Sequence, residues 1–224
     1  VSQKVGYLNT GGWVTRALVY LLIWTILALA YYTWSRKQDE DRDPGHTVRM
    51  QSLAPASLIL FGGTLTFASF DLLMSLYPHW FSTIFGVYYF AGCALGFFAL
   101  VPILMRALES TGRLTRVTHA GHYHDMGKLI FAFVVFWAYI AFSQYLLIWY
   151  ANIPEETGWY VTRQQNGWQL VGLTLIVGHF VLPFFGLMRR SARRNRRTLL
   201  FWSVVLLGMH WVDLFWLIMP NVAG

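Results

Sequence analysis

The sequence predicts an all-α integral membrane protein with six transmembrane helices. Composition argues first: of 224 residues 56% are hydrophobic, 18% aromatic and only 12% charged, far from the profile of a soluble domain. A helix needs about 20 apolar residues to cross a bilayer core, and residues 12–34, 53–76, 80–105, 127–150, 168–188 and 199–219 each meet that length. A transmembrane barrel is excluded, because its strands alternate in shorter segments.

The third observation is where the basic residues fall. The formal charge is +7, which in a soluble protein would raise a nucleic-acid partner. Here fourteen of the 17 Lys and Arg lie after the first, third and fifth segments, Arg116 among them, and the other three are Lys4, Arg16 and Arg163. This is a positive-inside pattern. It places the odd-numbered connections in the cytoplasm and both ends of the chain on the other side. The run RRSARRNRR is then a topology anchor in reach of anionic lipid, and no nucleic acid is expected.

In order along the chain, segment one is followed by SRKQDEDRDPGH (35–46), where mixed charges around a Pro-Gly turn read as a solvated linker. Segment two begins near Pro55, a residue suited to a first helical turn. Thr64, Ala68, Asp71 and Ser75 share one of its faces. YPHW (77–80) is a tight turn with His79 at its tip. Segment three holds Gly92 and Gly96, a small-xxx-small pair that lets another helix approach closely.

Segment four has Lys128 near its cytoplasmic end and Tyr139, Ser143 and Gln144 further along. Segment five carries Gly172, Ile176, His179, Pro183 and Gly186 on one side. Tyr77, Trp80, Trp149, Tyr150, Trp159, Tyr160 and Trp168 read as an aromatic belt at the outer headgroup level. The single Cys93 excludes an internal disulfide and a cysteine-ligated cluster within this chain. The first residue is Val1 and no signal peptide precedes segment one, so the chain reads as the C-terminal part of a longer protein.

Segment six poses the sharpest question, because GMHWVDLFWLIMP (208–220) sets His210 and Asp213 one turn apart in an otherwise apolar helix. At 1.5 Å of rise per residue, His179 and His210 lie roughly 15 Å from the outer end. Asp213, Gln144, Ser143 and Asp71 lie roughly 7 to 11 Å in. An ionised group in mid-bilayer is unfavourable by at least about 2.5 kcal/mol. Each carboxylate must therefore be paired, protonated or turned to a hydrated interior.

One reading is structural: Asp213 bonds His210 and pins the helix packing. The other is a proton relay through Asp71, Tyr139, Ser143, Gln144, His179, His210 and Asp213, because carboxylate and imidazole each take up and release protons. Asp125 and Lys128 would admit protons at the cytoplasmic mouth, or form an interfacial ion pair. A third reading places one haem between His179 and His210. THAGHYHDMGK (118–128) has spacing that could bind zinc, but a solvated helix start explains it as well, and no metal is assigned.

Two strings are more specific: YPHWFSTIFGVYYFAG (77–92) and HDMGKLIFAFVVFWAYIAFSQYLLIWYANIPEETGWY (124–160). They resemble the ActF-type membrane subunit of bacterial alternative complex III, a quinol:cytochrome c oxidoreductase, and its NrfD/PsrC-like relatives. The resemblance spans segments two to six. It implies a ten-helix subunit of two four-helix bundles, so that four helices would precede this chain.

On that footing residues 1–52 are a linking helix and loop, residues 53–190 (segments two to five) an up-down four-helix bundle, and residues 191–224 a final peripheral helix. The implied partners are an ActC-like membrane subunit, an iron–sulfur subunit, c-type cytochrome subunits and a terminal oxidase, in the bacterial inner membrane. Haem c and iron–sulfur clusters would sit in those partners and no cofactor in this chain. A quinone or quinol contact would fall to Asp71 and His79, as proton acceptors beside an apolar slot. The rival readings are a purely structural anchor for the redox subunits and a one-haem cytochrome b.

Overall fold

The computed structural model describes residues 6–114 and 117–222; Lys4 and Arg116 lie outside the described residues. Nine α-helices are found among them, and no strand. They are α1 (Thr10–Asp41), α2 (Gly45–Leu72), α3 (Phe85–Ser110), α4 (Ala120–Ala151), α5 (Pro154–Thr162), α6 (Trp168–Leu175), α7 (Leu182–Met188), α8 (Arg190–Arg194) and α9 (Arg196–Val222). Among the described residues six helical spans are long and apolar enough to cross a membrane. The chain is a multi-pass membrane protein.

Most helices extend past their apolar stretch. The mixed-charge segment read as a linker is largely helix: α1 runs to Asp41 and α2 begins at Gly45, with Pro55 inside α2 rather than at its start. Charged residues suit a helix that has left the bilayer, and Arg36 pairs with Glu40 at 3.1 Å one turn on. The reversal falls to Arg42, whose φ of 60° closes α1, and Pro44 just before α2. The histidine-rich stretch is likewise a helix start, with His119 as N-cap accepting from the Gly121 N–H at 3.1 Å.

The chain divides into two compact units, residues 1–79 and 80–224, rather than at the expected 52/53 and 190/191. The first is an antiparallel hairpin of α1 and α2. Its contacts run in register along the full length, from Trp24 Nε1 on Thr64 Oγ1 at 2.9 Å, through Tyr31 on Ser57 at 3.1 Å, to Thr47 on Gln38 at 2.9 Å.

The second unit is an up-down bundle of four membrane-crossing passes, segments three to six, not two to five as expected. Segment six is part of it: α9 runs antiparallel to α3, with Tyr88 beside Asp213 and Glu109 beside Arg196. On its other side α9 meets the fifth pass, where the Trp202 ring lies against Gly186 so closely that no Cβ fits. Side chains on α9 recur at three and four residues on the buried stripe (Ser203, Leu206, Asp213, Leu217), the spacing that faces a helix inward.

The fifth pass is not a uniform α-helix. Residues Ile176–Val181 form a π-helical turn just before Pro183, which lacks the N–H that would bond the His179 carbonyl. The turn buries His179 and leaves Ile176 57% exposed, although one α-helical face would have carried both. Trp80 and Trp159, read as belt residues, are core: their rings stack at 4.5 Å and both are buried.

Candidate functional site

The buried centre of the second unit is assembled by α3, α4, the π turn and α9. Residues Tyr88, Gly92 and Gly96 fall every four positions on α3 and all are buried. His210 lies against this glycine stripe: a Cβ on Gly96 would stand 3.0 Å from its Cδ2, and one on Gly92 3.2 Å from its Cε1. A Cβ at either position would force the imidazole to shift by a few tenths of an ångström. The two glycines thus have the packing role the sequence suggested, and their occupant is a ring.

Asp213 is 2% exposed. Its Oδ1 accepts from the Tyr88 hydroxyl and its Oδ2 from the Trp137 Nε1–H at 3.2 Å. Both donors are neutral. Among the described residues no ion pair involves Asp213. Its hydrogen-bond partners are not His210, as the structural reading had it; His210 Nδ1 has no hydrogen-bond partner among the described residues. The imidazole points at α3 while the carboxylate reaches between α3 and α4.

Trp137 links this carboxylate to the fifth pass, because its ring packs on His179 with centroids 4.1 Å apart. His179 is fully buried, and neither of its ring nitrogens has a partner among the described residues. His210 is pressed on α3 and His179 on Trp137.

Behind Tyr88 and Trp137 lies a cavity of about 640 Å³. Its walls are aromatic, with Trp159, Tyr160 and Trp216 among them, and Gln144 and Arg163 also line it. Arg163 is buried; its guanidinium lies over the Trp159 ring at 3.4 Å and donates to the carbonyls of Trp159, Trp216 and Leu217 and to Asn221 Oδ1. Burial pushes the Tyr160 phenol well above its ordinary range.

Of the other relay candidates in this unit, Gln144 is buried on the cavity wall and Ser143 is half-buried. Tyr139 is 64% exposed on the outward face of α4. Asp125 and Lys128 form an exposed ion pair at 2.7 Å in the first turns of α4. Such pairs contribute little. Among the described residues no group of His, Cys, Asp or Glu is arranged to hold a metal.

Asp71 belongs to the first unit and is differently held. Arg16 grips it with two bonds of 2.9 Å, from Nε to Oδ2 and from Nη2 to Oδ1, and the Tyr20 hydroxyl donates to Oδ2 at 2.7 Å. Its backbone carbonyl accepts from Trp13 Nε1 and Ser75 Oγ. Arg16 also stands 3.9 Å over the Tyr7 ring, whose phenol is raised by burial and then by Asp71. His79 is exposed. Arg16, Tyr20, Tyr88, Trp137 and Arg163 had no site role in the sequence reading.

The chain matches no protein-family model, and no curated protein matches it.

Proposed function

We propose that this chain is a membrane subunit of a respiratory quinol:cytochrome c oxidoreductase of the alternative complex III kind, and that its second unit carries a proton at Asp213. The assignment to such a complex rests on the resemblance of the strings at 77–92 and 124–160. The proton role rests on one observation: Asp213 is a buried carboxylate held only by neutral donors. An ionised carboxylate in mid-bilayer is disfavoured by about 2.5 kcal/mol or more. Two hydrogen bonds to a charged acceptor return about 1.5 to 3 kcal/mol each. The opposing effects are of one size, which leaves both protonation states within reach.

His210, one turn before Asp213, and His179, behind Trp137, are the next groups able to take the proton. Both have unpartnered ring nitrogens among the described residues. Trp137 orients the carboxylate and covers His179, so movement of that indole would open or close the way between them. Gln144, Ser143 and Tyr139 are left out of this path on their placement, and Asp125 with Lys128 sits at the Arg-rich end of the bundle as an entry.

Partners in this reading are an ActC-like membrane subunit, an iron–sulfur subunit and c-type cytochrome subunits. The odd-numbered connections face the cytoplasm of a bacterial inner membrane. A quinol contact is not drawn from Asp71, which already holds three hydrogen bonds, or from exposed His79. The first unit is better read as an anchor, because the Arg16–Asp71 pair closes it on itself.

The test is Asp213→Asn in the intact complex in liposomes, following quinol oxidation and proton movement together. Asparagine can accept from the Trp137 N–H through its one oxygen and donate from its amide nitrogen to the Tyr88 oxygen, so the fold survives while the proton-carrying group is gone. Proton movement per quinol should fall at least severalfold. Unchanged proton movement and unchanged turnover would remove Asp213 from the mechanism.

A further inference from the structure

The run RRSARRNRR (189–197) is held in place against the second unit. Its middle is the short helix α8, set between two residues with extended backbone, Arg189 with ψ of 135° and Asn195 with ψ of 114°. α8 lies on α4 by its backbone: a Cβ on Gly127 would stand 2.9 Å from Arg193 Cβ and 3.1 Å from the Arg193 carbonyl oxygen. From that contact the Arg193 side chain reaches one turn further along α4, toward the apolar span. Its guanidinium stands 5.3 Å from the centre of the Phe131 ring.

Arg190 and Arg194 are exposed and Arg193 is half-buried. The charges of all three, with that of Lys128, bear on His124 near the start of α4, so four cations gather on one patch. Lys128 is paired with Asp125 at 2.7 Å. Among the described residues the three arginines form no ion pair. Like charges held close together repel, and an anion between them would relieve that.

We infer that Arg190, Arg193 and Arg194 seat the phosphate of an anionic membrane lipid. Any basic loop is drawn to an anionic surface; here the docked backbone of α8 makes a defined seat, and guanidinium groups bind phosphate through paired hydrogen bonds. The partner is a lipid and not a dissolved anion, because the patch continues into apolar surface. Phe131 stacks on Phe184 with centroids 5.5 Å apart, and Phe185 and Met188, in the helix that leads into Arg189, are 64% and 49% exposed. The acyl chains would lie along that surface. The seat depends neither on the proton role nor on the complex proposed above.

The test places the full chain in phosphatidylcholine nanodiscs with a trace of spin-labelled phosphatidylglycerol. Electron paramagnetic resonance reads the motionally restricted fraction while unlabelled phosphatidylglycerol or inorganic phosphate is added. Saturable displacement by the lipid, and none by inorganic phosphate at equal concentration, is expected. Arg193→Gln should weaken the lipid about tenfold. Arg197→Gln, an equal change of charge beyond the Asn195 break, should weaken it no more than about twofold. Gly127→Leu keeps every charge but pushes α8 off α4, and should remove the saturable fraction. Absence of a saturable fraction in the unaltered chain, equal effects of the two arginine variants, displacement by inorganic phosphate, or full affinity in a folded Gly127→Leu would each overturn the seat.

Discussion

Two buried aspartates, one in each compact unit, answer the same problem in opposite ways. Asp71 is neutralised on the spot by the bidentate Arg16 and closed off by Tyr20. Asp213 meets only the phenol of Tyr88 and the indole of Trp137, with two histidines nearby, His179 with both ring nitrogens and His210 with Nδ1 unpartnered among the described residues. A carboxylate with its own cation is fixed in one charge state, and a change of protonation would break the pair. One held by neutral donors can change state and keep its contacts. Burial alone therefore does not mark a working group in a membrane helix; the charge of its partners does.

The largest effect that would break this comparison is at Arg16. Arg16→Leu leaves Asp71 buried without its cation, and thermal unfolding in nanodiscs should show a loss of about 3 to 5 kcal/mol. Most of the loss should return in the double variant Arg16→Leu, Asp71→Leu. A silent single variant would mean that Asp71 is not held as an ion pair.

Next comes the seat of His210. Gly96→Ala brings a Cβ to 3.0 Å from the ring and should cost about 1 to 3 kcal/mol by overpacking, recovered in part when His210→Ala is added. Absence of that coupling would place the imidazole elsewhere. Asp213→Asn should change stability by less than about 1 kcal/mol in the same unfolding assay, against the much larger loss at Arg16. A loss as large as the first would make Asp213 another fixed anchor. The smallest effect belongs to Tyr139→Phe, which removes a hydroxyl from an outward-facing ring. It should stay within about 0.5 kcal/mol and leave proton movement unchanged.

Much of this was legible in the sequence. Six apolar stretches of membrane length gave the helix count, and Gly92 and Gly96 announced a close approach on α3. The cost of ionised groups in lipid singled out both aspartates. Their partners were not legible in the same way. Arg16 was weighed only for topology, although its depth in segment one, roughly 9 Å from the helix start at 1.5 Å per residue, matches that of Asp71. Depth matching of unlike charges would have found the pair. Tyr88 and Trp137 carry no such signal, being two aromatics among many in apolar helices.

The apolar windows also missed what lies beyond the bilayer. The charged ends of α1 and the histidine start of α4 are helical because capping and pairing, not hydropathy, decide there. Trp80 and Trp159 were misread because a belt and an internal stack share one residue type and one depth. Grouping segment six apart from the bundle came from the resemblance, and the spacing of Ser203, Leu206, Asp213 and Leu217 pointed inward on its own.

The π turn at Ile176–Val181 bears on how such a chain tolerates length changes. It acts as a one-residue expansion joint within a membrane pass. Deleting a single residue there would restore an unbroken α-helix and swing everything on one side of it by about 100° relative to the other. Gly172 would leave Trp216, or Gly186 would leave Trp202, and the bundle would lose one seam in order to keep the other. The fifth pass should thus accept exchanges at the exposed Ile176 and Val177 and almost no change in its count of residues.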